Sequence, residues 1–331
     1  MNKSVILVCL CYLVNATAGI AQELDKDSIQ KFIIQMESIH NFDKNKLEGI
    51  FNQAKYSGRV IEAITRPAEA LPWYKYRPIF LQPDRVKQGK EFWEQNKQTL
   101  ARAEAIYGVP AEIIVAIIGV ETRYGKFKGN DRVLDALSTL AFHYPKRSDF
   151  FRAELEQFLL LTRDQNLDPN SITGSYAGAM GIPQFISSSY RNFAVDFDSD
   201  NKIDIWNNPA DAIGSVANYF KQHGWNTGED IAVRAEVIGN KVLDVNNKDL
   251  KPDINLSDVT EYGVKPLETP ANDLKLKILS FENREGYEIW LGFNNFYVIT
   301  RYNRSPLYAM AVYQLSEEIT SMYKEKVAAY N

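Results

Sequence analysis

The chain has 331 residues, 45% hydrophobic and 24% charged, the balance of a soluble globular protein with room for two or three packed units. Lys plus Arg number 38 against 42 Asp plus Glu, a net −4, which argues against bulk nucleic-acid binding. Aromatic residues make up 12%, enough for sugar-stacking surfaces, although core packing is their commoner use.

Residues 1–18 combine Lys3, a short apolar run and the Ala16-Thr-Ala18 ending, the pattern of a secretory signal peptide too short to span a membrane. Cleavage is expected after Ala18, with Ala21 as the alternative. Both cysteines, Cys9 and Cys11, fall inside this leader, and neither follows the small residue that lipoprotein processing prefers. The expected product is a soluble exported protein in an oxidising compartment, without disulfides, thiol catalysis or cysteine-based zinc sites. His40, His143 and His223 show no metal-ligand spacing, and no nucleophile elbow accompanies them.

Residues 23–108 read as a helical domain. Ser28 is a candidate cap for Ile29 to His40, where Phe32, Ile33, Met36 and Ile39 share a face. A second helix is expected over Asp43 to Tyr56. Arg66 to Pro83 holds four prolines and reads as a meandering loop carrying Trp73, Tyr74 and Tyr76. A long helix is expected from Pro83 to Tyr107.

Residues 109–228 hold most of the signals. Pro110 opens and Gly125 closes a helix that is apolar on every side from Ile113 to Val120, so the helix should be buried all round. Glu121 sits at its C-terminal end, where the negative helix pole and scarce water both favour the protonated form, as a general acid requires. The same residue can equally mark where a core helix surfaces. Further helices are expected over Asp131 to Ala141, from Ser148 through Leu161, and over Ala210 to His223. Thr173 to Phe185 contains Gly174, Gly178 and Gly181 with Ser175 and Gln184; it is either a close-approach loop or a simple connection, and it lacks phosphate-loop spacing.

Within 196–211 a calcium-like loop offers Asp196, Asp198, Asp200 and Asp204 at positions 1, 3, 5 and 9, with the Lys202 carbonyl at position 7. Asn207 replaces the usual closing Glu, and Asp211 could close a longer loop. The ion would be structural Ca²⁺; the competing reading is a solvated acidic turn.

Residues 229–300 alternate: Ile231, Val233, Ala235 and Val237, then Leu274, Leu276 and Ile278, then Tyr287, Ile289 and Leu291. They predict a small antiparallel β domain with turns at Asn246-Asn247 and Asn294-Asn295. In 301–331, Ser305 caps and Pro306 starts a helix over Leu307 to Tyr323 that returns to the helical body.

Taken together, Gly119-Val-Glu-Thr-Arg-Tyr-Gly125, Phe142 to Arg147, Gly174 to Phe185, Asp211 to Phe220, and Tyr302-Asn303 with Tyr308 resemble the B-type lytic murein transglycosylases, from about residue 25 to the C-terminus. The resemblance implies a mainly α (α+β) protein: a lysozyme-like helical core, a flanking helical domain and a small antiparallel β domain. It implies non-hydrolytic cleavage of the bond between N-acetylmuramic acid and N-acetylglucosamine in peptidoglycan, leaving 1,6-anhydromuramoyl ends. It carries the catalytic role to Glu121 and glycan contact to Tyr76, Tyr144, Ser175, Gln184, Phe185, Tyr219, Tyr302, Asn303 and Tyr308.

No organic cofactor is implied. The expected partner is peptidoglycan glycan strands, met by a monomer without a transmembrane segment. An ordinary glycosidase needs two carboxylates. The candidates for a second, Asp131, Asp135 and Asp149, lie outside the motifs and read as cap or surface residues, so a one-carboxylate mechanism is the economical reading. A hydrolytic muramidase and an inactive peptidoglycan-binding protein are the alternatives.

Overall fold

The computed structural model describes residues 23–66, 71–238, 249–270 and 274–329. The leader and the Asn246-Asn247 turn lie outside them. Helices dominate, and most of the apolar side chains join one continuous core.

Helix α1 (Lys26–His40) buries Ile29, Phe32, Ile33 and Met36. Its cap is Asp25 rather than Ser28: the Asp25 carboxylate accepts the Asp27 and Ser28 N–H groups, and the Ser28 hydroxyl donates to it. Helix α2 (Lys44–Phe51) starts from Asp43 as expected but stops well before Tyr56. Side chains of the later helix Val133–His143 take over the backbone there: Lys55 N donates to Asp135 at 2.7 Å and Ser57 N to Thr139 Oγ1 at 3.0 Å. Helix α3 (Gly58–Ile64) follows.

The proline-rich loop also needs correcting, because α4 (Trp73–Phe80) forms within it despite Pro78. Trp73 and Tyr76, one turn apart, are both buried, and Trp73 packs against Phe281 with ring centroids 5.3 Å apart. Tertiary burial outweighs the backbone bond lost to proline. The long helix after it is two, α5 (Pro83–Gln95) and α6 (Lys97–Tyr107). Asn96 breaks them, its side-chain amide donating to the Phe92 carbonyl at 2.8 Å.

Helix α7 (Ala111–Thr122) is enclosed by its neighbours, with every residue from Ile113 to Gly119 buried. The cap is Arg123 (φ 50°), and Tyr124 (φ 62°) and Gly125 (φ 82°) continue in the left-handed region. Gly125 thus has the conformation expected of it, but the turn begins two residues earlier. Strand β1 (Asp131–Arg132) pairs antiparallel with β2 (Thr173–Gly174), and α8 (Val133–His143) and α9 (Ser148–Asp164) run between them. Helices α10 (Ser187–Phe193) and α11 (Pro209–Gln222) complete this region.

Five antiparallel strands follow: β3 (Ala232–Val237), β4 (Ile254–Asn255), β5 (Val264–Pro266), β6 (Lys275–Glu282) and β7 (Tyr287–Gly292), in the order β4-β6-β7-β3-β5. Val233 faces Leu291, and Leu279 faces Trp290. One sheet face has its own small core of Leu276, Ile278, Ile289 and Leu291 with Val264 and Phe293. The other places Leu279, Phe281 and Trp290 in the main core. Asn294-Asn295 is not a turn: α12 (Asn294–Tyr302) begins there, and the Asn295 amide donates to the Asn226 and Glu229 carbonyls. Helix α13 (Pro306–Ala329) then returns along α4, α5 and α7. Among the described residues no single helix is long and apolar enough to cross a membrane.

Candidate active site

The C-terminal turn of α7 projects Glu121 toward the start of α13. There the Tyr308 hydroxyl lies 2.5 Å from Glu121 Oε1 and donates to it. Glu121 is half-buried, and desolvation pushes its carboxyl up to about 7, with the Tyr308 hydroxyl pulling the other way. Such a group holds a proton near neutrality and can surrender it. Tyr308 and Tyr302 are themselves raised well above the ordinary phenol value, by burial first and then by the adjacent Glu121.

Local constraints fix this turn. Thr122, buried beside Glu121, donates its hydroxyl to Ile182 O at 2.8 Å and accepts from Gly125 N at 3.0 Å. The turn is thereby tied to the glycine-containing loop. Two residues before Glu121, a Cβ on Gly119 would stand 2.5 Å from the Tyr124 hydroxyl, so only glycine lets that ring fold back under the helix.

Aromatic residues surround the acid. Tyr302 donates to Pro183 O at 2.6 Å and lies 4.8 Å from the Tyr219 ring and 5.9 Å from Phe185. Tyr219 donates to Arg301 O at 2.6 Å, and burial pushes its phenol up to about 12. Tyr76 is near enough to Tyr308 to raise that phenol further. Glu121, Tyr76, Phe185, Tyr219, Tyr302 and Tyr308 therefore form one connected group. Phe185 is 2% exposed, so its ring supports Tyr219 and Tyr302 from within.

Other anticipated residues stand around this group. Ser175 Oγ accepts from Ala177 N and Ala179 N, which shapes the loop. Gln184, left-handed at φ 52°, donates to Lys128 O at 3.0 Å and Gly181 O at 2.9 Å. Asn303 ends α12, half-buried. Tyr144 packs edge-on against Phe151, at 6.4 Å, in the corner between α8 and α9. His223, read in the sequence only as lacking metal-ligand spacing, stacks on Tyr219, ring centroids 4.0 Å apart, with Nδ1 2.7 Å from Tyr219 O. Its spacing of four from Tyr219 on one helix was the available signal.

The second-carboxylate candidates are engaged elsewhere. Asp131 pairs with Arg59. Asp135 binds Arg132 at 2.7 Å. Asp149 is exposed, 3.4 Å from Arg152.

In the acidic loop, oxygens of Asp196, Asp198 and Asp211 all lie within 4.8 Å of one another. Asp211 is fully buried and accepts from Phe197 N at 2.8 Å and Asp204 N at 2.7 Å. Asp200 and Asp204 do not join that cluster; they accept backbone N–H groups of Lys202 and of Trp206 and Asn207. Ser199 and Asn201 are left-handed, at φ 65° and 69°, and Asn201 stands at the position where a calcium loop would place glycine.

A lysozyme-like helical body, here with a half-buried carboxylic acid among tyrosines, is the architecture of a class of glycan-cleaving enzymes. Residues 25–317 match the model of the transglycosylase SLT domain family, and the chain belongs to that family. It is 44% identical over 300 residues to membrane-bound lytic murein transglycosylase B of Escherichia coli (strain K12), covering 88% of this chain and 82% of that one. The crystal structure of soluble lytic transglycosylase SltB1 from Pseudomonas aeruginosa superposes with a TM-score of 0.84 at 50% identity, over 89% of this chain and 99% of that one. Escherichia coli lytic transglycosylase Slt35 in complex with calcium gives 0.84 at 42% identity, over 93% and 98%. The activity is thus that of a peptidoglycan lytic transglycosylase, a lyase that cleaves glycan strands without adding water.

Proposed function

We propose that Glu121 is both the acid and the base of this reaction. Its carboxyl, protonated near pH 7 and in contact with Tyr308, carries the reading. Glu121 donates its proton to the glycosidic oxygen as the bond to muramoyl C1 breaks, releasing the N-acetylglucosamine hydroxyl. The muramoyl 2-acetamido oxygen stabilises the electron-poor C1, as in substrate-assisted glycosidases. The carboxylate left behind takes the proton of the C6 hydroxyl, whose oxygen bonds to C1 and closes the 1,6-anhydro ring. Glu121 ends protonated, and no water is consumed. Tyr308 steadies the carboxylate stage through its hydrogen bond, which favours the charged form.

Tyr76, Tyr144, Tyr219, Tyr302 and Tyr308 serve as sugar-facing rings or hydroxyls, with Ser175, Gln184 and Asn303 as polar contacts and Phe185 as their support. Mass analysis of digested peptidoglycan tests the chemistry. Anhydromuramoyl ends are expected; ends heavier by one water would make the enzyme a hydrolytic muramidase.

Asp196, Asp198 and Asp211 serve as the anchor of a structural calcium site, with the Lys202 carbonyl, Asp200 and Asp204 completing it after local adjustment. Three converging carboxylates are the donor set a hard divalent cation takes, and the cation removes the mutual repulsion that helps raise Asp211. The printed description of Slt35 as a calcium complex supports the assignment. The ion would hold the loop against α11, away from the reacting bond. Export by residues 1–18 would bring the enzyme to peptidoglycan in the periplasm, and the chain is organised as the helical, catalytic and β regions bounded at 108, 228 and 300, with 301–331 returning to the helical body.

A further inference from the structure

We infer that the acidic loop positions the catalytic turn: cation binding at Asp196, Asp198 and Asp211 is coupled, through two hydrogen-bonded ties, to the segment that carries Glu121. The inference rests on the calcium and catalytic readings above and concerns how the one site acts on the other.

Both ties start from backbone carbonyls of the acidic loop. Ile205 O accepts from Ile182 N at 2.8 Å, and Ile182 O in turn accepts the Thr122 hydroxyl at 2.8 Å. Thr122 is buried and directly follows Glu121. The first tie therefore crosses from the acidic loop to the catalytic turn through a single residue of the glycine-containing loop. Close packing keeps it short: a Cβ on Gly181 would stand 2.6 Å from Ile205 O. The second tie is the Lys128 ammonium, which donates to Trp206 O at 2.6 Å. Lys128 is held to the same turn, because its neighbour Phe127 donates its N–H to Thr122 O at 2.9 Å.

At their other end the ties are fixed by the carboxylates. Asp211 Oδ2 accepts from Asp204 N at 2.7 Å, one residue before Ile205, while its Oδ1 accepts from Phe197 N at 2.8 Å. Asp211 thus serves the acidic cluster and the tied segment at once. Three carboxylates with oxygens within 4.8 Å of one another repel, and a cation among them removes that repulsion. Its binding favours the arrangement in which Asp211 holds Asp204, and with it the carbonyls of Ile205 and Trp206 within reach of their donors. A ligand that prefers one arrangement of a packed network shifts the population of the whole network, and the coupling acts equally in both directions. Thr122 and Lys128 are then positioning residues, acting on the reaction through Glu121.

Backbone hydrogen exchange on the full mature enzyme, stripped of calcium by a chelator and then reloaded, reads this coupling without substrate. Arg123 N, which donates to Gly119 O at 3.1 Å, and Phe127 N report on the turn. Calcium should slow their exchange about tenfold, a coupling of ordinary size. Thr122→Val combined with Lys128→Met keeps the bulk of both side chains and removes both donors, so the response should vanish; Thr122→Ser should retain it. The two single variants should each lose part of the response, which keeps the test intact if the double variant does not fold. Calorimetry gives the reciprocal measure, with Ca²⁺ bound about tenfold more weakly by the double variant than by the parent. On glycan strands, stripping the parent of calcium should lower kcat and leave KM nearly unchanged. Turn amides that exchange alike with and without calcium, although calorimetry registers binding, overturn the coupling alone. An undiminished response in the variants overturns the two ties as its route. No heat of binding in the parent overturns the calcium reading and this inference with it. An error in assigning the acid to Glu121 would leave the exchange results standing and show instead as unchanged turnover in Glu121→Gln.

Discussion

At the scale of single residues, the raised pKa of Glu121 links the proposed catalysis to stability. In the unfolded chain the carboxyl titrates near 4.5, and in the fold near 7. Between those values the native state holds a proton that the unfolded state has released, so stability declines as pH rises through this window and levels off above it. The shift corresponds to about 3 kcal/mol at most. Glu121→Gln should therefore abolish turnover while stabilising the protein by up to about 3 kcal/mol at pH 8, and by almost nothing at pH 4. Urea unfolding at the two pH values reads this directly, and a stabilisation independent of pH would refute the linkage. Tyr308→Phe makes a second, signed prediction. Removing the hydrogen bond that lowers Glu121 raises it further, so the basic limb of the kcat/KM profile should move to higher pH as kcat falls. A limb moved to lower pH would show that Tyr308 does not act through this carboxyl.

At the scale of elements, legibility followed how local the signal was. Helix α7 could be read from its unbroken apolar run. The strands β3, β6 and β7 were readable because one alternating face meets a core. Helix α4 was hidden because its prolines argue against it locally, while its support, Phe281 beneath Trp73, lies two hundred residues away. Helix α12 was hidden because Asn294-Asn295 resembles a turn until Asn295 is seen bonding residues 226 and 229. The candidate site divides the same way: the helix end marked Glu121 as one of two readings, an acid or a core-helix terminus, whereas the Tyr308 contact joins positions 187 apart and has no local signature.

The acidic loop shows why position counting alone falls short. The Asp196-x-Asp198 spacing was readable, but only the packing of α11 brings the buried Asp211 to it while Asp204 turns to its own backbone. Added Ca²⁺ should raise Tm, and Asp198→Ala should remove the rise, since a ligand bound only by the fold stabilises it by mass action. Asp204→Ala should weaken it less, through lost turn geometry. Equal shifts with Mg²⁺ would argue against a calcium site.

At the scale of the molecule, α13 joins elements distant in sequence. Its first turn brings Tyr308 to the acid, and its middle places Tyr313 edge-on to Trp290 of β7 at 6.0 Å. The sheet consequently has two unequal faces, one inside the main core and one with a separate small core. Local opening follows such divisions, because a small apolar cluster can be exposed without disturbing the larger one. Two equivalent truncations distinguish the faces. Leu276→Ala, in the sheet's own core, and Leu315→Ala, on α13 in the main core, each remove a fully buried leucine and should each cost about 2–5 kcal/mol locally. Leu315→Ala should accelerate hydrogen exchange throughout α7 and lower the global unfolding free energy by that amount. Leu276→Ala should accelerate exchange in β4, β5 and β6 while α7 remains protected and turnover persists, because nothing it touches reaches Glu121. Loss of α7 protection in both variants would instead mean that sheet and helical body open as one cooperative unit, with the acid's surroundings dependent on the distal face of the sheet.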